Sequence, residues 1–370
     1  MQHHTIRDFA LLLRLPISWG DGFLRTVPSA ESVHLDEVED HTMSFKICSI
    51  GCGDMATVGH GPAFQKYALE NPEVTLVACC DLDSAKAEQF RRSFGFVRAY
   101  TDMDEMLSRE KPDAVSLIVP PEITKPLTIK LLRAGIPVIL EKPPGLNREE
   151  TLQLMEVAEQ TGTPNQVAFN RRYMPMIQRF AQLRQGHTDL FWQYDFYRSN
   201  RRDADFSTTS IHGIDTVRFL AGKSYRSVDL HYYPNPQEGD LVPTIALDFE
   251  FEDRTYGRIT FAPASGICAE RCTMHGTNEM IYATLPYRGI NGSMDGSGSI
   301  LVTEKNRIVL REEASEEEFF ISNGFYGENA HFFNCIRSGV RPQDDIASGL
   351  QAVEIADCIR NRKSSYEVAL

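Results

Sequence analysis

Phe45-Lys46-Ile47-Cys48-Ser49-Ile50 is a mostly apolar run that breaks off at Gly51-Cys52-Gly53-Asp54-Met55-Ala56. Residues of this kind suit a buried strand, and Gly-x-Gly-x-x-Ala is the turn such a strand needs if a pyrophosphate is to lie at its end. Gly51 permits the tight turn, Gly53 has no side chain to hold phosphates away, and Ala56 lets the next helix approach. Backbone N–H groups beyond the turn, from Asp54 and Met55 onward, then face the anion. A second apolar run, Val74–Cys80, ends at Asp81, where a carboxylate can accept both ribose hydroxyls of an adenosine. The interval from Gly53 to Asp81 is longer than the usual spacing of about 20 residues. Asp81 could equally cap the next helix, a task that Asp83 or Ser84 would also perform.

Two basic clusters stand out, Arg171-Arg172 and Arg198 with Arg201-Arg202. They either pair with surface carboxylates or recognise a carboxylate or phosphate, for which the planar guanidinium fork is fitted. Of the eight cysteines, Cys48 and Cys52 fall in the first predicted strand and its turn and Cys79 and Cys80 end the second, as small buried hydrophobes of a reducing compartment would. Cys48 with Cys52, or Cys268 with Cys272 and His275, falls short of four ligands at metal spacings, so no metal is expected. His60 and His331 lie beside apolar residues in or next to predicted helices, which points to structural roles.

The elements that must position these groups follow from the patterning. The chain has 370 residues and 42% hydrophobic content, enough for two domains with cores. Its net charge of −13 argues against non-specific nucleic-acid binding, and no run reaches membrane-spanning length. From 43 to 166, buried strands at Phe45–Ile50, Val74–Cys80, Ala99–Tyr100, Ala114–Val119, Pro137–Leu140 and Asn165–Phe169 alternate with amphipathic helices, the pattern of a doubly wound parallel sheet. From 167 to 370, strand follows strand from Leu190 to Leu310, which implies an α+β domain with a largely antiparallel sheet. Residues 1–42 differ from the rest, and Met43 reads as the natural start, with a translated extension before it.

Leu140-Glu141-Lys142-Pro143 closes a predicted strand, after the Gly-x-Gly turn and after Lys111-Pro112-Asp113-Ala114-Val115. With Val167-Ala168-Phe169-Asn170-Arg171-Arg172-Tyr173-Met174-Pro175 and Ser210-Ile211-His212-Gly213-Ile214-Asp215, it resembles the glucose-fructose oxidoreductase/inositol dehydrogenase/rhizopine catabolism family, written Gfo/Idh/MocA, over residues 45–370. The resemblance implies a Rossmann domain and an open-sheet domain used for homo-oligomerisation. It implies NAD, with NADP open, bound by Gly51, Gly53, Asp54, Met55, Asp81, Pro120, Glu141 and Lys142, and a sugar-like substrate near Asn170, Arg171, Arg172, Thr208 and Asp215. Lys142 would hydrogen-bond the reacting hydroxyl and His212 would take its proton.

That division of labour is chemically sound: hydride leaves an alcohol carbon only if the hydroxyl proton leaves too, imidazole titrates near working pH, and an ammonium stabilises a developing alkoxide. Two positions depart from the family. Thr208 stands where an Asp would orient the histidine, leaving Asp205 or Asp215 as substitutes, and a histidine usual near Thr124 is missing. The expectation is a cytoplasmic NAD(P)-dependent oxidoreductase acting on a secondary hydroxyl of a sugar, sugar acid or cyclitol. Asp81 favours NAD, while Lys86 leaves NADP open. An NAD-dependent glycosidase working by transient oxidation and a dinucleotide-binding sensor on the same scaffold are the alternatives.

Overall fold

The computed structural model describes residues 44–203, 205–237, 239–286 and 297–368. The expectations for 1–42 and for the turn at Asn291-Gly292-Ser293 lie outside them.

The first sheet has six parallel strands, β1 (Phe45–Ile50), β2 (Val74–Cys80), β3 (Arg98–Tyr100), β4 (Ala114–Leu117), β5 (Val138–Glu141) and β6 (Asn165–Ala168), in the order β3-β2-β1-β4-β5-β6. This is the doubly wound order, whose switch point falls between β1 and β4. β1 and β4 are buried almost throughout because helices cover both faces. The helices between them are α1 (Gly61–Glu70), α2 (Ser84–Phe94), α3 (Met103–Glu110), α4 (Pro121–Arg133) and α5 (Arg148–Thr161). Helix α4 begins at Pro121, because proline fits the first helical turn, where a missing N–H costs nothing. A π-helical turn, Ala56–His60, joins the glycine turn to α1 and was not foreseen.

The second sheet has nine strands: β7 (Asp189–Tyr197), β8 (Tyr225–Asn235), β9 (Gly239–Phe251), β10 (Tyr256–Ala262), β11 (Ala269–Gly276), β12 (Glu279–Thr284), β13 (Ser299–Glu304), β14 (Arg307–Glu313) and β15 (Ser365–Glu367). Their order is β14-β13-β12-β11-β7-β10-β9-β8-β15, antiparallel except for β7 with β10. Alternation along β7 buries Trp192, Tyr194 and Phe196 toward the helices and turns Phe191, Gln193 and Asp195 to the other face. The helices of this half are α6 (Pro175–Arg184), α7 (Ser207–Ala221), α8 (Phe319–Ser322), α9 (Phe325–Arg337) and α10 (Leu350–Arg360).

Helix α9, although late in the chain, packs on the first sheet's side. Phe333 lies 5.2 Å from the ring of Tyr67, whose hydroxyl donates to Asn334 Oδ1 at 2.8 Å. The two sheets are thereby laced together by chain from both halves.

Candidate active site

Past β1 the chain turns at Gly51, whose φ is +93° and where a side chain would overlap the Ile118 carbonyl oxygen. Only glycine fits there. At Gly53 a Cβ would meet nothing within 4 Å, so that position is open space at the mouth of the turn, next to exposed Asp54 and Met55. No protein atom demands glycine at 53, whereas a pyrophosphate approaching the backbone would.

Asp81 sits at the end of β2. Its Oδ2 accepts the Cys52 N–H at 2.8 Å and its Oδ1 the Asp83 N–H at 2.9 Å. The cap of α2 is Asp83, which accepts from Ala85 and Lys86. Asp81 is therefore released from capping and braces the glycine turn, with lone pairs remaining on both oxygens. An open cradle at Gly53 and a carboxylate tied to the same turn are the donor and acceptor set that a dinucleotide needs. Pro120 immediately precedes α4, and its carbonyl accepts the Thr124 hydroxyl at 3.1 Å. Thr124, where the resemblance expects a histidine, is buried under that helix start.

At the end of β5, Glu141 Oε1 lies 3.0 Å from His60 Nε2, and His60 Nδ1 lies 3.0 Å from the Asn329 amide nitrogen on α9. The amide donates to Nδ1, so Nε2 carries the proton it gives to Glu141. Burial opposes ionisation of Glu141, but the His60 bond and the Lys142 charge outweigh it and hold the carboxyl below its ordinary value. Lys142 Nζ reaches across to the Thr208 carbonyl on α7 at 3.4 Å. Burial lowers its pKa, opposed by Glu141 and reinforced by Arg171 and Arg201.

His212 follows Thr208 by one helical turn and so shares its face of α7. Its Nδ1 is buried without a hydrogen-bond partner. Burial, then the charges of Arg171, Lys142, Arg198 and Arg201, pushes the imidazole well below its ordinary pKa, so it is neutral at pH 7.

Neither carboxylate expected to stand in for the missing Asp reaches His212. Asp205 accepts from the Ser207 N–H at 2.9 Å and Arg360 Nε at 2.7 Å. Asp215 is 1% exposed and holds Arg172 by two bonds of 2.8 and 2.6 Å. Arg172 also bonds Asp344 and lies over the Phe169 ring. Placing Arg172 and Asp215 among substrate contacts needs correction: they neutralise each other inside the wall of the site. Asn170 is likewise committed, to the Asn323 carbonyl at 2.8 Å and to Arg171.

Arg171 grips Glu270 with bonds of 2.9 and 2.8 Å, and Arg198 and the Tyr194 hydroxyl bond the same carboxylate. Burial opposes its ionisation, but the two arginines hold the Glu270 carboxyl far below the usual range. Glu270 was not singled out from sequence. Its signal was a charged residue in line with Cys272 and Met274 at alternate positions of a strand, where a buried carboxylate requires a cationic partner. His331 is bonded by the Tyr173 hydroxyl and faces Gln166, both at 2.9 Å, a role in the wall. Among the described residues no His/Cys/Asp/Glu group is arranged to hold a metal ion, and no helix is long and apolar enough to cross a membrane.

A dinucleotide turn at the switch point of a doubly wound sheet, faced by a lysine and a neutral histidine from the two halves, defines a Rossmann oxidoreductase scaffold. Residues 45–169 match the model of the Gfo/Idh/MocA oxidoreductase family, which has an NAD-binding Rossmann fold. It is 30% identical over 221 residues to D-apiose dehydrogenase of Paraburkholderia graminis, covering 56% of this chain and 58% of the relative. It is 26% identical over 299 residues to the NAD+-dependent scyllo-inositol 2-dehydrogenase of Bacillus subtilis, covering 73% and 81%. A solved dehydrogenase from Chromobacterium violaceum shares the fold with a TM-score of 0.73 at 18% identity, over 86% of this chain and 95% of that one. The alignments span 36, 58 and 49% of the length of three of the curated relatives.

Proposed function

We propose that the chain is an NAD-dependent dehydrogenase acting on a secondary hydroxyl of a sugar, sugar acid or cyclitol. The supporting observation is the convergence of Lys142 and His212: the ammonium is bonded to the carbonyl of Thr208, one turn from an imidazole that is neutral and has an unpartnered ring nitrogen. Gly51, Gly53, Asp54, Met55, Asp81 and Pro120 would hold NAD, with Glu141 and Lys142 beside its reactive end. NAD, when bound, supplies the nicotinamide that accepts hydride. Lys142 holds the substrate hydroxyl oxygen and stabilises negative charge developing there. His212 receives the hydroxyl proton, and its neutrality keeps it competent as a base at pH 7.

A dinucleotide-dependent sensor is the second reading, favoured by the engagement of Asp205 and Asp215 elsewhere, which leaves His212 without an orienting carboxylate from either. A panel of sugars, sugar acids and cyclitols, assayed by absorbance of reduced nicotinamide with wild type and Lys142→Ala, separates the two. Lys142-dependent turnover supports the dehydrogenase, and NAD binding with no turnover on any member supports the sensor. Net release of reduced cofactor would also exclude a glycosidase that regenerates it. We further propose that the face of the nine-stranded sheet that no described helix covers, where Tyr256 is 58% exposed beside Phe191, joins copies of the chain; a monomer by light scattering overturns this.

A further inference from the structure

Lys142 and His212 ride on separate pieces of chain, and the bond between those pieces, Lys142 Nζ to the Thr208 carbonyl, is 3.4 Å long. That exceeds the usual N–H···O range of about 2.7 to 3.2 Å, so it fixes little by itself. A firmer tie lies behind it, made by Arg360 in the last turn of α10. Its Nη1 donates to the carbonyl of Leu146, shortly after Lys142 in the chain. Its Nε donates to Asp205 Oδ2 at 2.7 Å, and its Nη2 to the hydroxyl of Ser207, the residue before Thr208, at 3.0 Å. One guanidinium thus grips both the loop that carries Lys142 and the start of the helix that carries His212.

Both ends of the tie are stiff. The Leu146 N–H donates to Glu150 Oε2 at 2.9 Å, and Asn147 caps α5 by accepting the Glu150 N–H at 2.9 Å, so Leu146 is anchored to a helix start. Between Lys142 and Leu146 stand Pro143, Pro144 and Gly145, all buried. The fixed φ of the prolines and the packing of Gly145 against Thr151 pass a displacement of Leu146 on to Lys142. On the other side, Asp205 Oδ1 accepts the Ser207 N–H at 2.9 Å, a donor that the helix itself leaves unpaired. The same carboxylate offsets the repulsion that a lone guanidinium would meet at a helix N-terminus. Helix α10 is itself pinned to both halves. Arg148 of α5 donates to Glu354 Oε1 at 2.7 Å, and Arg218 of α7 donates to the Ser348 carbonyl, just ahead of α10, at 2.7 Å.

We propose that Arg360 is a positioning residue of the reaction, holding the Lys142 loop and the start of α7 at the spacing that lets Lys142 and His212 act on one hydroxyl. This rests on the dehydrogenase reading above and adds to it a residue whose three bonds go to neither reacting side chain. Spacing matters because a misplacement of about 1 Å at a reacting centre costs on the order of a hundredfold in rate.

The test compares the full chain with Arg360→Ala, Arg360→Lys and Arg148→Ala, the last breaking another tie of α10 that touches no residue of the site. Each is saturated with NAD and assayed on myo-inositol, D-glucose and D-gluconate, with rates normalised to NAD-binding equivalents. Arg360→Ala should lower kcat on the order of 10- to 100-fold while KM and NAD affinity stay within about twofold. Arg360→Lys should return part of that loss, because an ammonium still spans the Leu146 carbonyl and Asp205, and Arg148→Ala should lose none. The acid limb of kcat/KM should stay in place in Arg360→Ala, since the residue sets spacing and not the charge of the imidazole. Amide exchange read by mass spectrometry should quicken in Arg360→Ala at 142–150 and 205–212 and stay unchanged at 45–56. A kcat in Arg360→Ala equal to wild type, an equal loss in Arg148→Ala, NAD affinity falling in step with kcat, or a displaced acid limb overturns the proposal. The exchange readout keeps the two inferences apart. Quickened exchange at both segments with no turnover by wild type refutes the dehydrogenase alone. Turnover by wild type that Arg360→Ala retains, with exchange unchanged, refutes the positioning role alone, and neither turnover nor a change in exchange refutes both.

Discussion

Lys142 Nζ donates to the carbonyl oxygen of Thr208 at 3.4 Å, a bond from the residue just past a parallel strand to the first turn of a helix in the other half of the molecule. The bond is long and uses one of three ammonium protons, so two remain for a hydroxyl placed between the halves. Lys142→Ala should therefore lower kcat by on the order of 10²- to 10³-fold, the usual cost of removing a donor aimed at developing oxyanion charge. NAD affinity, measured by fluorescence titration, should change little. Full retention of kcat would remove Lys142 from the chemistry.

The two glycines of the turn should fail in different ways. Gly51→Ala would force a Cβ into the Ile118 carbonyl at a φ of +93°, so it should lower Tm and yield poorly folded protein. Gly53→Ala meets no protein atom, so Tm should hold while NAD affinity falls. A Gly53→Ala protein that binds NAD as wild type does would show that the open space is not where the phosphates lie.

Asp81 braces the turn through the Cys52 N–H, and in the dehydrogenase proposed above it would receive the adenosine ribose. Asp81→Ala strips both contacts, and hydrogen bonds to a charged group are worth about 1.5 to 3 kcal/mol each, so NAD binding should weaken on the order of tenfold to a hundredfold. NADP, whose 2′-phosphate the carboxylate repels, should lose much less. An unchanged ratio of the two dissociation constants would refute the assignment.

How far these features were legible depended on the range of the forces that set them. β1 and β2 could be bounded to the residue because a buried parallel strand is a continuous apolar run ended by a turn. The start of helix α7 at Ser207 is not legible in the same way, since the polar Ser207-Thr208-Thr209-Ser210 run carries no apolar period. The short β15 was missed for a like reason: three residues pairing with β8 leave little local pattern. The motifs point to Lys142 and His212 as candidates, but nothing local marks the destination of Arg172. A basic pair in sequence looks the same whether it meets a ligand or, as here, an aspartate 43 residues further on. The His60–Glu141 and Arg171–Glu270 bonds join residues far apart in sequence and leave no periodic trace.

Arg172 and Asp215 have side chains 6% and 1% exposed, so neither charge can turn to water if its partner is removed. Breaking a buried pair by deleting one side typically costs about 3 to 5 kcal/mol, and Arg172→Met or Asp215→Asn should destabilise by roughly that amount in urea unfolding. The Arg172→Met, Asp215→Asn double variant should lose less than the sum. Stability unchanged in both single variants would return these residues to the list of ligand contacts.

The pH dependence of turnover should identify the base. Burial and four neighbouring cations depress the His212 pKa below 6.5, so the folded protein binds fewer protons than the unfolded chain between that depressed value and 6.5. The imidazole is thus neutral from pH 6.5 upward, and kcat/KM should fall on the acid side only below pH 6.5 as the ring protonates. The same difference makes His212 destabilising as pH drops through that window, a loss that His212→Ala should lessen. His212→Ala should cut turnover by about 10² to 10⁴, roughly 3 to 5 kcal/mol of barrier, spare NAD affinity, and erase the acidic limb. Thr208→Asp places a carboxylate one turn from the ring, raises its pKa, and should move the limb toward higher pH. An acidic limb that stays in place in His212→Ala would assign the proton to another group.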